Sequence, residues 1–136
     1  VSNIMKKIII ICLICIFCLC GCSDKNANVN DEQLKNEIMA NLNKINEVTN
    51  MTSSNPYDYT DNEYYNNIVK LGKDAVSVLE NMYKNNELSG LNAYLSALAI
   101  QDITNCNLYE KYNIDWTTAD EFYYLWENNN CSFKDR

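Results

Sequence analysis

Seven cysteines and eighteen carboxylates are the side chains with chemistry to offer, and no histidine accompanies them. Cys12, Cys15 and Cys18 recur at CxxC spacing, with Cys20 and Cys22 close behind. Thiolates at that spacing hold zinc when a turn folds between them. Here the intervening residues are mainly Leu, Ile and Phe, so no metal site and no cofactor are expected. The missing histidine removes every His-based triad, zinc site and general base. Asp102, Glu110, Asp115, Asp120 and Glu121 could supply the carboxylate pair of a glycosidase, but so many acids in 136 residues make near pairs inevitable. No G-x-S-x-G occurs, and Ser89-Gly90 lacks that context. Neither a Gly-rich phosphate loop nor a motif around Ser77 or Ser96 is present. The formal charge of −7 argues against nucleic acid, which needs a basic face.

A second cluster lies in Asn55 to Glu63, NPYDYTDNE, which gathers Tyr57, Asp58, Tyr59, Asp61 and Glu63. Tyrosines give flat apolar area with a hydroxyl handle, and carboxylates hold sugar hydroxyls or a cation, so this is a candidate ligand surface. The EF-hand pattern fails. In the other reading, which is preferred, the tyrosines dock on the core while the acids cap a helix.

The N-terminus carries an address. Lys6 and Lys7 precede a twelve-residue apolar block, Ile8 to Leu19. Crossing a bilayer takes roughly 20 apolar residues, so the block is short for a membrane helix and fits the core of an export signal. It ends in Leu19-Cys20-Gly21-Cys22. This resembles the lipobox of bacterial lipoproteins, with Leu19, Gly21 and Cys22 matching and Cys20 standing where Ala, Ser or Thr is usual. The resemblance implies that residues 1–21 are a cleaved signal peptide and that Cys22 carries a diacylglyceryl anchor on the extracytoplasmic face of the cell membrane. Two acyl chains give stable attachment, at about 0.8 kcal/mol per buried CH₂. Loss of Lys6 and Lys7 takes the charge from −7 to −9 on residues 22–136, so anionic lipid repels the domain. With Cys22 acylated, Cys106 and Cys131 remain, either bridged or as two free thiols.

The rest of the chain reads as helices, with no sustained period-two alternation. Residues 22–30 are polar and read as a flexible tether. Residues 31–52 read as an amphipathic helix or stalk: Leu34, Ile38, Leu42 (or Asn41), Ile45 and Val48 share a face, with Asn30 and Gln33 as a capping box. Residues 56–131 read as the helical domain. Pro56 forces a turn, and Thr60 with Glu63 suggests the cap of a helix over Asp61–Leu71 carrying Tyr64 or Tyr65, Ile68 and Val69. Gly72 stops it. Helices over Lys73–Asn85 and Gly90–Asn105 follow, the second apolar on nearly all faces and therefore the buried one. Cys106 to Trp116 looks irregular. A last helix begins at Thr117 or Thr118 and turns Ala119, Phe122, Tyr123 and Trp126 inward. Three Gly and one Pro leave little turn punctuation, and the many Asn read as the drift of an AT-rich genome.

Leu71 to Thr104 is similar to a HEAT repeat, matching at Leu71, Gly72, Ala75, Val76, Leu79, Ala93, Ala97 and Leu98. There is room for about one and a half repeats, fewer than the roughly three that an array needs. The expected fold is all-α, a compact bundle of about five helices with HEAT-like hairpin packing. HEAT modules generally bind proteins. The expected function is a lipid-anchored extracytoplasmic protein that binds a basic or glycan partner, such as a peptide toxin in the manner of immunity lipoproteins. The alternative is a small carboxylate-dependent cell-envelope hydrolase.

Overall fold

The computed structural model describes residues 25–48 and 53–129. Residues 31–136 cluster as one compact unit, and the account below concerns that unit. The described residues form six α-helices and a 3₁₀ turn, with no strand among them. The fold is all-α.

Helix α1 spans Lys25–Val48. It begins inside the stretch read as a tether, so residues 25–30 are helical and Asn30 with Gln33 does not cap it. Its spacing of four, four and three buries Ile38, Leu42 and Ile45 completely and Leu34 in part. Asn41 sits beside that stripe and donates to the Glu37 carbonyl at 2.9 Å, so Leu42 is the inward residue.

A 3₁₀ turn at Pro56–Tyr59 follows. Asn55 is extended (φ −94, ψ 111), as a residue before proline must be, and its side chain accepts from the Tyr57 N–H. Helix α2, Glu63–Lys70, starts later than expected, because Asn62 caps it rather than Thr60. The Thr60 hydroxyl is spent on the 3₁₀ turn, donating to the Tyr57 carbonyl at 2.9 Å. Asn62 accepts from the Tyr65 N–H at 2.9 Å. Tyr65 and Ile68 are buried, while Tyr64 is half-buried. Gly72 then reverses the chain at φ +72.

Helices α3 (Lys73–Lys84) and α4 (Gly90–Thr104) pack on one another as a hairpin. Helix α4 also touches α2, the 3₁₀ turn and the last helix, so it is the axis of the core. That explains its apolar residues on every side. The only buried polar side chains among the described residues lie on it, and both are satisfied. The Ser96 hydroxyl donates to the Ala93 carbonyl at 2.7 Å and meets the Tyr123 hydroxyl at 2.8 Å. Gln101 accepts from the Leu108 N–H at 3.0 Å.

The stretch after Cys106 is not wholly irregular. Asn107 accepts from the N–H groups of Tyr109 and Glu110 and starts a short helix α5, Leu108–Tyr112. Its single buried residue, Leu108, carries no helical period, which is why the sequence pattern hides it. Helix α6, Ala119–Asn128, opens with a complete capping box between Thr118 and Glu121. It presses Phe122, Tyr123 and Trp126 into the core. Phe122 lies between Trp116 and Trp126, with centroids 5.0 and 5.6 Å away. The Trp126 indole donates to Glu80 at 2.7 Å, which ties α6 to α3.

Candidate functional site

The N-terminal end of α4 is where the bundle opens. The turn before it is set by Asn86, whose left-handed backbone (φ +58) ends α3. The Glu87 N–H reaches back to the Met82 carbonyl at 2.9 Å, and buried Leu88 pins the turn to the core. Ser89 and Gly90 are thereby held at the surface between two clefts, and Ser89 lines both.

The first cleft, of about 460 Å³, lies between the end of α1, the 53–59 segment and the first turn of α4. Asn46 and Asn92 form one wall, joined by an amide hydrogen bond of 3.0 Å. Ser53, Ser54, Pro56 and Tyr59 form the other. The Tyr59 hydroxyl donates to the Ser53 carbonyl at 2.9 Å and fixes that segment. Among the described residues no charged side chain lines this cleft.

The second cleft, of about 640 Å³, lies between α3, the turn and the start of α6. Tyr83 stacks on Tyr123 with 3.8 Å between centroids and 8° between planes, and its hydroxyl donates to Asp120. Burial, then the Asp120 carboxylate, pushes the Tyr83 hydroxyl up to about 12, so it stays a protonated donor. Tyr94 packs on Trp116 at 4.6 Å. Its hydroxyl is also raised, by burial first and then by Tyr57 and Asp115. Asn86, Thr117 and Thr118 complete the rim. Lys84 is there too, but it is paired with Glu127 at 2.6 Å.

The five residues expected as a ligand surface do not act together. Tyr59 is buried and floors the first cleft, whereas Tyr57 is exposed. Asp58 is occupied locally, accepting from the Ser53 hydroxyl at 2.5 Å and from the Asn55 amide at 3.1 Å. Asp61 and Glu63 are exposed, Glu63 in the first turn of α2. Among the described residues no three Cys, Asp or Glu side chains gather as metal ligands.

The candidate catalytic carboxylates are likewise dispersed. Asp102 accepts from the Tyr65 hydroxyl at 2.6 Å. Asp115 accepts from the Trp116 N–H at 3.0 Å. Glu121 accepts from the N–H and hydroxyl of Thr117 and from the Thr118 N–H, and the Thr117 backbone bond leads in holding its pKa down. Glu110 is exposed on α5. Of the five, only Asp120 lines either cleft.

Cys106 is buried and disulfide-bonded, with its partner outside the described residues, where Cys131 also lies. Cys22 and Leu19, Cys20 and Gly21 fall outside them as well. Among the described residues no helix is long and apolar enough to cross a membrane. Sequence reasoning missed Asn46, Tyr83, Ser89, Asn92 and Tyr94 as a group, because nothing local marks positions that meet only across packed helices. No family model, curated protein or solved structure matches this chain.

Proposed function

We propose that the chain is a lipid-anchored, extracytoplasmic helical protein that binds an envelope or protein partner at the exposed end of α4, without turning it over. The anchor rests on the order of basic pair, short apolar block and lipobox ending at Cys22. The binding reading rests on one observation: the two clefts that meet at Ser89 are rimmed by amides, hydroxyls and tyrosine rings. Asp120 is the one carboxylate there among the described residues and is engaged by Tyr83. A carboxylate hydrolase needs a second acid roughly 5–9.5 Å from the first, across the scissile bond, and the described residues lining the two clefts include only Asp120.

The test is co-sedimentation of the mature chain, residues 22–136 carrying Cys22→Ser, with isolated envelopes of the producing cells. The folded protein is expected to pellet with them, and Asp120→Ala is expected to weaken retention. A protein that stays in the supernatant, or one that releases soluble fragments from the envelopes, overturns the reading.

A further inference from the structure

The binding reading above is the base for a narrower statement about what is bound. We propose that the two clefts form one track for a neutral oligosaccharide chain, crossing the N-terminal end of α4 with Ser89 as their shared wall. Continuity comes from the helix itself. Leu91 and Asn92 face the first cleft, while Gly90, Ala93 and Tyr94 face the second. A ligand occupying both must therefore be extended and must pass over Ser89. Each cleft alone is of the size that takes a small ligand, roughly 300–1,000 Å³.

The lining matches the surface of a sugar. A pyranose ring has an apolar C–H face and a rim of hydroxyls that both donate and accept. Ser54 and Thr118 supply hydroxyls that can donate, and Asn86 supplies an amide. Ser53 and Thr117 give their protons to Asp58 and Glu121 and offer lone pairs, while the bonded Asn46–Asn92 pair keeps one amide oxygen and one NH₂ to offer. Pro56, Tyr83 and Tyr94 supply flat apolar area for the ring faces. Tyr83 is held in place by Tyr123 behind it and Asp120 at its tip, which reduces the ordering cost of binding. The bonded Asp120 carboxylate still has lone pairs for a sugar hydroxyl.

Charge and topology argue against other polymers. Among the described residues the first cleft carries no charged side chain, and Lys84 in the second is paired with Glu127. With −9 on residues 22–136, an anionic chain is repelled. A peptide adding as a β-strand needs a sheet edge, and the described residues have no strand. An amphipathic helix needs an apolar groove, whereas these walls are mostly polar.

The experiment titrates the mature chain, residues 22–136 carrying Cys22→Ser, with chitohexaose, cellohexaose and maltohexaose and with the matching disaccharides, followed by amide chemical shifts and Trp fluorescence. At least one hexasaccharide is expected to bind about tenfold more tightly than its disaccharide, because a second cleft adds to the first. Asn92→Ala and Asp120→Ala, one per cleft, should each remove most of that gain. Ser54→Arg, at an exposed rim position, should block the track with the circular dichroism unchanged. Absence of hexasaccharide binding, or equal affinity for the long and short sugars, overturns the glycan track. Envelope retention that persists in that case leaves the broader binding reading standing, and loss of both removes both. Shifts at the same residues with a proline-rich peptide, but with no sugar, reassign the track to peptide.

Discussion

Gly72 joins α2 to α3 at φ +72, ψ −155. That is a region of backbone space open essentially to glycine alone. A Cβ built there meets nothing within 4 Å, so any cost of Gly72→Ala is pure backbone strain. The substitution should lower stability by roughly 1–3 kcal/mol in urea unfolding, and an unchanged midpoint would contradict it. Elsewhere asparagine does the punctuation. Asn86, Asn105 and Asn113 take left-handed φ of 58, 50 and 55, and Asn55, Asn62 and Asn107 cap helix starts. Drift in base composition is therefore not the whole account of the Asn content. The tyrosines give a second prediction. The folded hydroxyl of Tyr83 titrates near 12, against about 10 for an unfolded tyrosine. Burial also raises Tyr65 and Tyr123. A raised folded pKa means the stabilisation is complete below about pH 10 and fades as pH climbs through the folded value. Alkaline titration should show these tyrosines ionising late, together with loss of helical circular dichroism, and Tyr83→Phe should keep more of the fold above pH 10. Uniform ionisation of all ten tyrosines near pH 10, with the fold intact, would refute this.

At the scale of elements, the last part of the chain is fastened at one end by chemistry and at the other by aromatic packing. Cys106, just past α4, is disulfide-bonded. Cys131 is the expected partner, since it follows α6 and the remaining cysteines all lie in the apolar N-terminal run. Such a bridge closes a loop of about 25 residues around α5 and α6 and contributes roughly 3.5 kcal/mol in the chain-entropy account. Reductant, or Cys131→Ser, should lower the unfolding midpoint accordingly. Two alkylatable thiols in the folded protein would rule the pairing out. How well an element can be read depends on what marks its ends. The capping box of α6 and the alternatives around it were legible, because Thr118 and Glu121 are close in sequence. The start of α2 was misplaced, because Thr60 and Asn62 are both good caps and only the 3₁₀ turn consumes one of them.

For the molecule as a whole, the question is where it is held and what it meets. Cys22→Ser is expected to block lipidation and leave the chain uncleaved, so it migrates as a precursor larger by residues 1–21 and takes up no labelled fatty acid. A variant with the size and fatty-acid labelling of the unmutated chain would refute the anchor. Residues 25–30, part of the stretch whose polar composition suggests a tether, are helical. The sequence by itself determined the helical class, the buried character of α4 and the inward faces of α1 and α6, because each is written as local periodicity. Only tertiary structure decided the candidate site. Asn46 meets Asn92 across 46 residues, and Tyr83 meets Asp120 across 37. Hydrophobic pattern fixes which face of a helix turns inward, but not which helix it meets. The same packing dispersed the five carboxylates and divided the tyrosine loop, because each side chain took the nearest partner that burial or a free backbone N–H offered it.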